Sequence, residues 1–168
     1  NQITDVMCFG EATGIIDISV SNTQGDYQSI WSLTGTDSLF VSELTAGIHT
    51  VTIIDDSSCT KVDSFTVNQP GQQLVADYST ENASCENIAD GSIDMTVSGG
   101  TPPYNYDWID SHGNTVSSQA NATGLLAGDY TYTITDANNC IYNSTLSIWF
   151  DGGYDCIEVP IIISPNFD

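Results

Sequence analysis

Basic residues are almost absent from this sequence. Its 168 residues contain one Lys or Arg, Lys61, against 22 Asp and Glu, and the formal net charge is −21. Nucleic-acid binding depends on Lys and Arg that neutralise phosphates, and anionic lipid surfaces attract the same side chains. The charge balance therefore argues against both partners, and we predict no nucleic-acid binding.

Long hydrophobic runs and catalytic signatures are also missing. No stretch approaches about 18 consecutive apolar residues, so we predict no membrane insertion. The sequence contains no P-loop, HExxH, GxSxG or Rossmann fingerprint. The two histidines, His49 and His112, fall in different halves of the chain without a recurring Ser or Cys partner. We therefore predict that the chain is not an enzyme and that it has no catalytic residues.

The chain does contain an internal repeat. With Cys8 aligned to Cys85, the two copies stay in register at an offset of 77 residues through a shared tryptophan. The second copy then gains four residues, and the match resumes at an offset of 81, which aligns Cys59 with Cys140. A match of this density indicates two homologous modules in tandem.

Alternation of apolar and polar residues runs through both copies. Ile16 and Ile18 flank Asp17 in the first copy, and no segment has a convincing helical period. A period of two is typical of half-buried antiparallel strands, and such patterns recur here with turn residues between them. The predicted fold class is all-β, with two tandem immunoglobulin-like β-sandwich modules of roughly six or seven strands each. We place them at residues 1–69 and 70–151, followed by a linker and the first strand of a truncated domain at 152–168.

Large aromatic residues recur at fixed places in the two copies. Tyr27 and Trp31 in the first copy align with Tyr104 and Trp108 in the second, while the turn residues before them differ. A tryptophan on a central strand is a common anchor of a sandwich core. We therefore predict that these four side chains are core anchors.

The sequence has five cysteines, and four of them form equivalent pairs. Cys8 and Cys59 belong to the first module, and Cys85 and Cys140 to the second. One pair per module predicts a disulfide within each module and an oxidising, extracellular setting, with buried free thiols as the alternative. The fifth cysteine, Cys156, could pair beyond this chain, bridge to another chain through self-association, or stay free.

Recurring acidic residues are candidates for a calcium site, because hard cations prefer oxygen ligands. The candidates are Asp17, Asp55, Asp94 and Asp136, with Asp90, Asn138 and Asn139 as additional donors in the second module. The alternative is that an Asp before a tight turn bonds its own backbone and that outward-facing Asp residues are solvated. We predict no cofactor beyond this calcium candidate.

A second candidate ligand is a sugar, which exposed aromatic rings can stack upon. The aromatic residues that gather near the end of the second module are Tyr142, Trp149, Phe150 and Tyr154. The alternative is that these rings pack against a neighbouring domain.

The second module resembles the SprB-type repeat of large surface adhesins in gliding bacteria. The resemblance rests on "DGSIDMTVSGGTPPYNYDW", "GLLAGDYTYTITDANNC" and Cys85, and it covers most of residues 72–149. The first module departs from it, with "NTQGD" in place of the Gly-Gly-x-Pro-Pro corner. The tail "CIEVPIIISPNFD" resembles the start of the C-terminal sorting domain of type IX secretion cargo.

This resemblance implies secretion and display on the outer cell surface. It implies a structural role in an adhesin or surface filament that serves attachment and gliding motility, with disulfide-stabilised stalk modules. The implied partners are neighbouring repeats of the same polypeptide and extracellular polysaccharide or other surfaces. The alternative function is a calcium- or carbohydrate-binding accessory module of a secreted multidomain protein.

Overall fold

The computed structural model describes residues 1–23, 25–33, 35–152 and Cys156. The predicted truncated domain therefore lies mostly outside the described residues. The named elements are all β-strands: β1 (Gln2–Thr4), β2 (Gly14–Asp17), β3 (Tyr27–Trp31), β4 (Phe40–Leu44), β5 (Gly47–Asp55), β6 (Thr60–Val67), β7 (Val75–Glu81), β8 (Gly91–Ser98), β9 (Asn105–Asp110), β10 (Thr115–Ser117), β11 (Ala122–Leu125), β12 (Gly128–Thr135) and β13 (Ile141–Ile148). Within the described ranges, no helix has the length and apolar character needed to span a bilayer.

The strand order is that of an immunoglobulin-like sandwich in each repeat. The first repeat has sheets of order β1-β2-β4 and β3-β5-β6, and the second has β7-β8-β11 and β10-β9-β12-β13. The ladders for which a register is resolved are antiparallel. In the first repeat, strands one, two and four form one sheet and strand three pairs with the last two. In the second repeat, strands one, two and five form one sheet, because the extra strand β10 joins the sheet of β9, β12 and β13. Both orders are Greek-key arrangements of this fold class. The predicted all-β fold class is confirmed.

Two compact units divide the described chain. The first unit contains Asn1–Val75 together with two short segments, Ser98–Pro103 and Asp136–Cys140, and the second contains the other described residues. These two segments belong to the second repeat by sequence but cluster with the first unit. The module boundaries at residues 69 and 151 stay a prediction.

The core of the first unit draws on both sheets of its sandwich. Its buried members are Val6, Ile16, Ile18, Trp31, Val41, Leu44, Val51 and Val67. Ile16 and Ile18 are two positions apart because alternate side chains of an extended chain point to the same face. Val41 and Leu44 are three apart, and the pairing of β2 with β4 has a register shift beside them. The Trp31 indole N–H donates to the Ser38 carbonyl at 2.7 Å, so the polar end of this large side chain is satisfied inside the protein.

The second unit repeats this arrangement with larger rings. Trp108 is fully buried, and its indole N–H donates to the Gln119 carbonyl at 3.0 Å. Its ring centroid lies 4.9 Å from that of Tyr132, which also contacts Tyr78 and Tyr142. Burial, with a smaller contribution from Tyr142, raises the pKa of the Tyr132 phenol. Trp108 and Tyr132 are the buried rings of this group, and Tyr78 is 48% exposed.

The four predicted anchors divide into two groups. Trp31 and Trp108 are 3% and 0% exposed. The prediction for Tyr27 is wrong, since this side chain is 39% exposed. It stands at the first residue of β3, beyond the core. Tyr104 is half-buried, just before β9 begins.

Two equivalent glycines begin the second strand of each sandwich, and we predict that neither tolerates a methyl group. A Cβ on Gly14 would lie 2.7 Å from Val67 Cγ1, and one on Gly91 would lie 2.9 Å from Ile148 Cγ2. Gly14→Ala or Gly91→Ala should each lower the free energy of unfolding by about 1–3 kcal/mol in urea titrations, because overpacking forces neighbours to shift. Gly71→Ala is the control, since its Cβ would meet nothing within 4 Å. Equal effects at all three positions would contradict the packing explanation.

Candidate functional site

The cysteines pair differently from the predicted pattern. Cys8 bonds Cys140, with their Cα atoms 5.6 Å apart, and both residues lie in the first compact unit. Cys85 bonds Cys156, with a Cα separation of 5.4 Å. Cys59 is a free, exposed thiol. The predicted disulfides Cys8–Cys59 and Cys85–Cys140 are therefore wrong, as are the predicted fates of Cys156.

The sandwich topology explains why the two cysteines of one repeat do not pair. The connection that holds Cys8 lies near the end of β6, because Gly10 N–H donates to Gln69 Oε1 at 2.9 Å. Cys59 lies before the start of β6, in the turn between β5 and β6. The eight residues of β6 span roughly 25 Å at about 3.3 Å per residue. Cys8 and Cys59 therefore lie at opposite ends of the first sandwich. This separation is much larger than the Cα distance of about 7 Å within which a disulfide can form.

Asp136 organises the turn that carries Cys140. This carboxylate is 2% exposed, and its Oδ1 accepts the backbone N–H groups of Asn138 at 2.8 Å and Cys140 at 2.9 Å. Its Oδ2 accepts the N–H of Thr101 at 2.8 Å. Gly100, with φ of +60°, fits beside it because a Cβ there would lie 2.8 Å from Oδ2. The "GGTPP" corner and the "DANNC" turn are thus joined through one carboxylate.

The first repeat keeps the turn but not the corner. Asp55 Oδ1 accepts the N–H groups of Ser57 and Cys59, both at 2.9 Å. Ser58 has φ of +61°, as its counterpart Asn139 has φ of +65°. The recurring Asp is therefore explained by the turn it stabilises, which is the alternative to the calcium interpretation. Among the described residues no group of three or more His, Cys, Asp or Glu is placed to hold a metal ion.

The other calcium candidates lie on different elements of the fold. Asp17 and Asp94 are exposed on β2 and β8. Asp90 accepts the N–H of Ser84 at 2.8 Å, and the side chain and N–H of Ser84 lower the pKa of this carboxyl. The Asn138 amide donates to the carbonyl of Met7 at 3.0 Å. Hydrogen bonds within the protein thus account for Asp90 and Asn138.

His49 is part of the sandwich core rather than of a catalytic group. Its side chain is buried, and its Nε2–H donates to the Thr45 carbonyl at 2.9 Å. The aligned residue, Tyr130, donates its hydroxyl to the Leu126 carbonyl at the same distance. The histidine therefore substitutes for the tyrosine as a donor to the turn before the strand.

The aromatic residues proposed for sugar stacking differ in exposure. Trp149 is 70% exposed and Phe150 49% exposed, immediately after β13. Tyr142 packs on Tyr132 with ring centroids 6.2 Å apart, and Tyr154 lies outside the described residues. Among the candidates that the structure describes, Trp149 and Phe150 are the exposed aromatic pair.

A cavity of about 290 Å³ opens in the first unit beside the free thiol. Its wall contains Cys59 and the polar residues Asp55 and Lys61, and Val51 and Phe65 line its apolar part. The second repeat has three tyrosines in contact at the aligned places. Asn1, Val51 and Lys61 of the cavity align with Tyr78, Tyr132 and Tyr142. The cavity thus follows from replacing three rings by smaller or more flexible side chains.

Hydrogen bonds to two carboxylates, the exposed Asp37 and the half-buried Asp110, make the stability of the fold sensitive to acid. The N–H of Ser29, followed by its hydroxyl, lowers the pKa of Asp37. The side chain and then the N–H of Asn114 lower the pKa of Asp110. A carboxyl whose pKa is lower in the folded state stabilises the fold above its unfolded pKa, here 3.8, and loses that contribution as the pH falls further.

We expect the thermal midpoint to fall on acidification, and the double variant Asp37→Asn/Asp110→Asn to flatten this fall. The measurement is a series of melting curves from about pH 6 to about pH 2.5. Glu11→Gln, at another exposed carboxylate, is the matched control. If the thermal midpoint of the double variant fell with decreasing pH as steeply as that of Glu11→Gln, Asp37 and Asp110 would not be the source of the acid sensitivity.

Comparison with known families bears on the second repeat. Residues 78–113 match the SprB repeat family model. This stretch is similar to the SprB repeat, and it includes β8, β9 and the corner that Asp136 holds. The predicted resemblance is confirmed for this stretch, and it indicates a repeat segment of the surface-adhesin type. The match ends at residue 113 and does not include the tail that resembles the start of a sorting domain.

Solved structures give low-scoring similarities outside the SprB repeat family. An amphioxus IgVJ-C2 molecule is 11% identical with a TM-score of 0.39, covering 81% of this chain and 95% of that chain. DIP-gamma IG1+IG2 is 13% identical with a TM-score of 0.37, covering 75% and 84%. Murine CEACAM1b is 15% identical with a TM-score of 0.32, covering 83% and 92%. The fold assignment rests on the strand order rather than on these scores. No curated protein matches the sequence.

Proposed function

We propose that this chain is a force-bearing repeat segment of a secreted cell-surface adhesin or surface filament that serves attachment and gliding. The observation that carries the proposal is the SprB repeat match at residues 78–113 within a tandem duplication. Two disulfides support an oxidising, extracellular location. Neighbouring repeats on the same polypeptide and extracellular polysaccharide are the proposed partners.

The Cys8–Cys140 bond supports a mechanical role. It closes a loop across 132 positions of sequence. When the two chain ends are pulled, the disulfide carries the force, and the residues inside the loop are not stretched. At about 3.4 Å per residue, unfolding of these residues could lengthen the chain by roughly 450 Å. The intact disulfide prevents this extension. A spacer with this property keeps its length under load.

The surface charge supports the same role. With 22 carboxylates and one basic residue, the modules repel one another and stay soluble at the high local density of a surface layer. The one basic residue, Lys61, is exposed and lies 3.8 Å from Asp63. Self-association through charge complementarity is thereby disfavoured.

The tail from Cys156 to Asp168 supports a proposal about export. Its resemblance to the start of a type IX secretion domain fits a segment that lies close to a sorting signal. Apart from Cys156, these residues are not described by the structure, so the proposal rests on their sequence alone.

Single-molecule stretching tests the mechanical role. The chain is pulled from its two ends with the disulfides intact and again after reduction. We expect reduction to add roughly 450 Å of released contour. Equal contour lengths in the two states would contradict the load-bearing bond.

Attachment of cells tests the adhesive role. In cells of the source organism, the coding region for residues 1–152 is deleted in frame and retention on a surface under flow is compared with the parent strain. Antibody labelling of intact cells reports surface display. Unchanged retention, or a protein that antibody reaches only in lysed cells, would argue against the proposal.

A carbohydrate-binding accessory role is the second candidate, favoured by the exposed pair Trp149 and Phe150. Polysaccharide binding that Trp149→Ala abolishes would support it. Binding that is undetectable, or that Trp149→Ala leaves intact, would remove it.

A further inference from the structure

We propose that the turn carrying Cys59 is a covalent docking site for another module of this kind, which supplies the cysteine of its first strand connection. This connection is β1–β2 in the first repeat, which contains Cys8, and β7–β8 in the second, which contains Cys85. Both cysteines are engaged in disulfides. Of the two cysteines of the β5–β6 turn type, Cys140 is bonded to Cys8 and Cys59 is free. This inference needs only that a second module is within reach, and it does not depend on the adhesive role.

The local geometry of the two turns is the same. In each, the Asp N–H donates to the Cys carbonyl, at 3.1 Å for Asp55 and 3.0 Å for Asp136. In each, Oδ1 of that Asp accepts the Cys N–H at 2.9 Å. The same backbone bonds therefore hold both cysteines in their turns.

The bonded turn shows what an incoming segment contacts. Beside the disulfide, the Asn138 amide donates to the carbonyl of Met7, the residue before Cys8. Cys140 is 8% exposed in this bonded arrangement, whereas Cys59 is exposed. Ser57 aligns with Asn138 between the two repeats. The turn of Cys59 thus has a short polar side chain at the position from which Asn138 binds Met7. The exposed surface is the one that the equivalent segment covers in the other turn.

The cavity beside Cys59 is a second, independent feature of this docking face. Its volume of about 290 Å³ is bordered by Cys59 and is open to an incoming side chain. Residues beside the connection cysteine, such as Met7 and Phe9, are themselves exposed and apolar. A segment of that composition has apolar side chains to place against Val51 and Phe65.

The bond forms by loss of two protons and two electrons from two thiols, which an oxidised disulfide such as oxidised glutathione accepts while it is reduced to two thiols. By exchange, the Cys59 thiolate attacks a mixed disulfide on the partner cysteine and the glutathione thiolate leaves. The other module can be part of the same polypeptide or of a second molecule, and the chemistry is the same in both cases.

Disulfide mapping of the natural full-length protein tests the inference. The protein is isolated from its source, free thiols are alkylated, and the unreduced digest is analysed by mass spectrometry. A peptide that joins Cys59 to a connection cysteine of another module supports the proposal, and its sequence and the mass of the unreduced protein distinguish the same polypeptide from a second molecule. Cys59 recovered as an alkylated free thiol, or joined to any other group, would overturn it.

Exchange with a synthetic peptide gives a second test on the chain itself. The probe is residues 5–11, "DVMCFGE", loaded as its mixed disulfide with glutathione, and a peptide of the same composition with scrambled flanks is the control. We expect the equilibrium constant for transfer to Cys59 to be at least tenfold larger for the native probe, and Ser57→Asn to raise it further. Equal constants for the two peptides would overturn the proposal, and Cys59→Ser verifies the site of reaction.

Discussion

Replacing Cys140 by serine is expected to lower the free energy of unfolding by about 4 kcal/mol. The Cys8–Cys140 bond spans 132 positions, and a crosslink over a loop of about 100 residues or more removes that much chain entropy from the unfolded state. The measurement is a urea titration followed by tryptophan fluorescence. Thiols are alkylated beforehand so that new disulfides cannot form.

Three further variants make this prediction decisive. Cys8→Ser should equal Cys140→Ser, and the double variant should equal either single one, because all three remove the same bond. Cys59→Ser should leave the unfolding midpoint unchanged, since that thiol is free and exposed. A midpoint for Cys8→Ser/Cys140→Ser that matches the wild type would contradict the pairing.

Asp136→Ala is expected to cost about 3–5 kcal/mol. The substitution leaves the N–H groups of Thr101, Asn138 and Cys140 without the carboxylate that accepts them. Hydrogen bonds to charged groups contribute about 1.5–3 kcal/mol each, and buried donors left without an acceptor add to the loss. Urea titration at neutral pH measures it.

The first repeat provides the matched control for Asp136. Asp55→Ala removes an acceptor from Ser57 and Cys59 in an exposed turn, where water replaces it, so we expect a loss of about 1–2 kcal/mol. Asp136→Asn keeps one acceptor oxygen and should fall between the wild type and Asp136→Ala. Equal losses for Asp55→Ala and Asp136→Ala would show that burial and the corner contact contribute nothing.

The strand pattern was predictable from sequence because it is local. Alternation around residues such as Asp17 follows directly from the geometry of a strand, and the duplication supplies each signal twice. The burial of Trp31 and Trp108 follows from the same reasoning. Tyr27 was assigned wrongly because the period identifies a face of a strand but not the point along the strand where the core ends.

The sequence predicted where the two Asp-to-Cys turns lie but not what their Asp side chains bind. The spacing of Asp55 from Cys59, and of Asp136 from Cys140, is that of an Asp that accepts backbone N–H groups two and four residues later. Sequence alone left this turn and a calcium site as alternatives. What decides between them is the direction of each carboxylate, which accepts the N–H groups of its own turn.

The sequence by itself determined that this protein is a tandem pair of β-sandwiches with a buried tryptophan in each, because hydrophobic alternation and repetition are properties of the order of residues. Tertiary structure alone decided which sulfur atoms meet and where the cavity lies. A disulfide depends on two Cα atoms coming within about 7 Å. The fold separates Cys8 from Cys59 along the length of a sandwich and brings Cys8 to Cys140, 132 positions away in the chain.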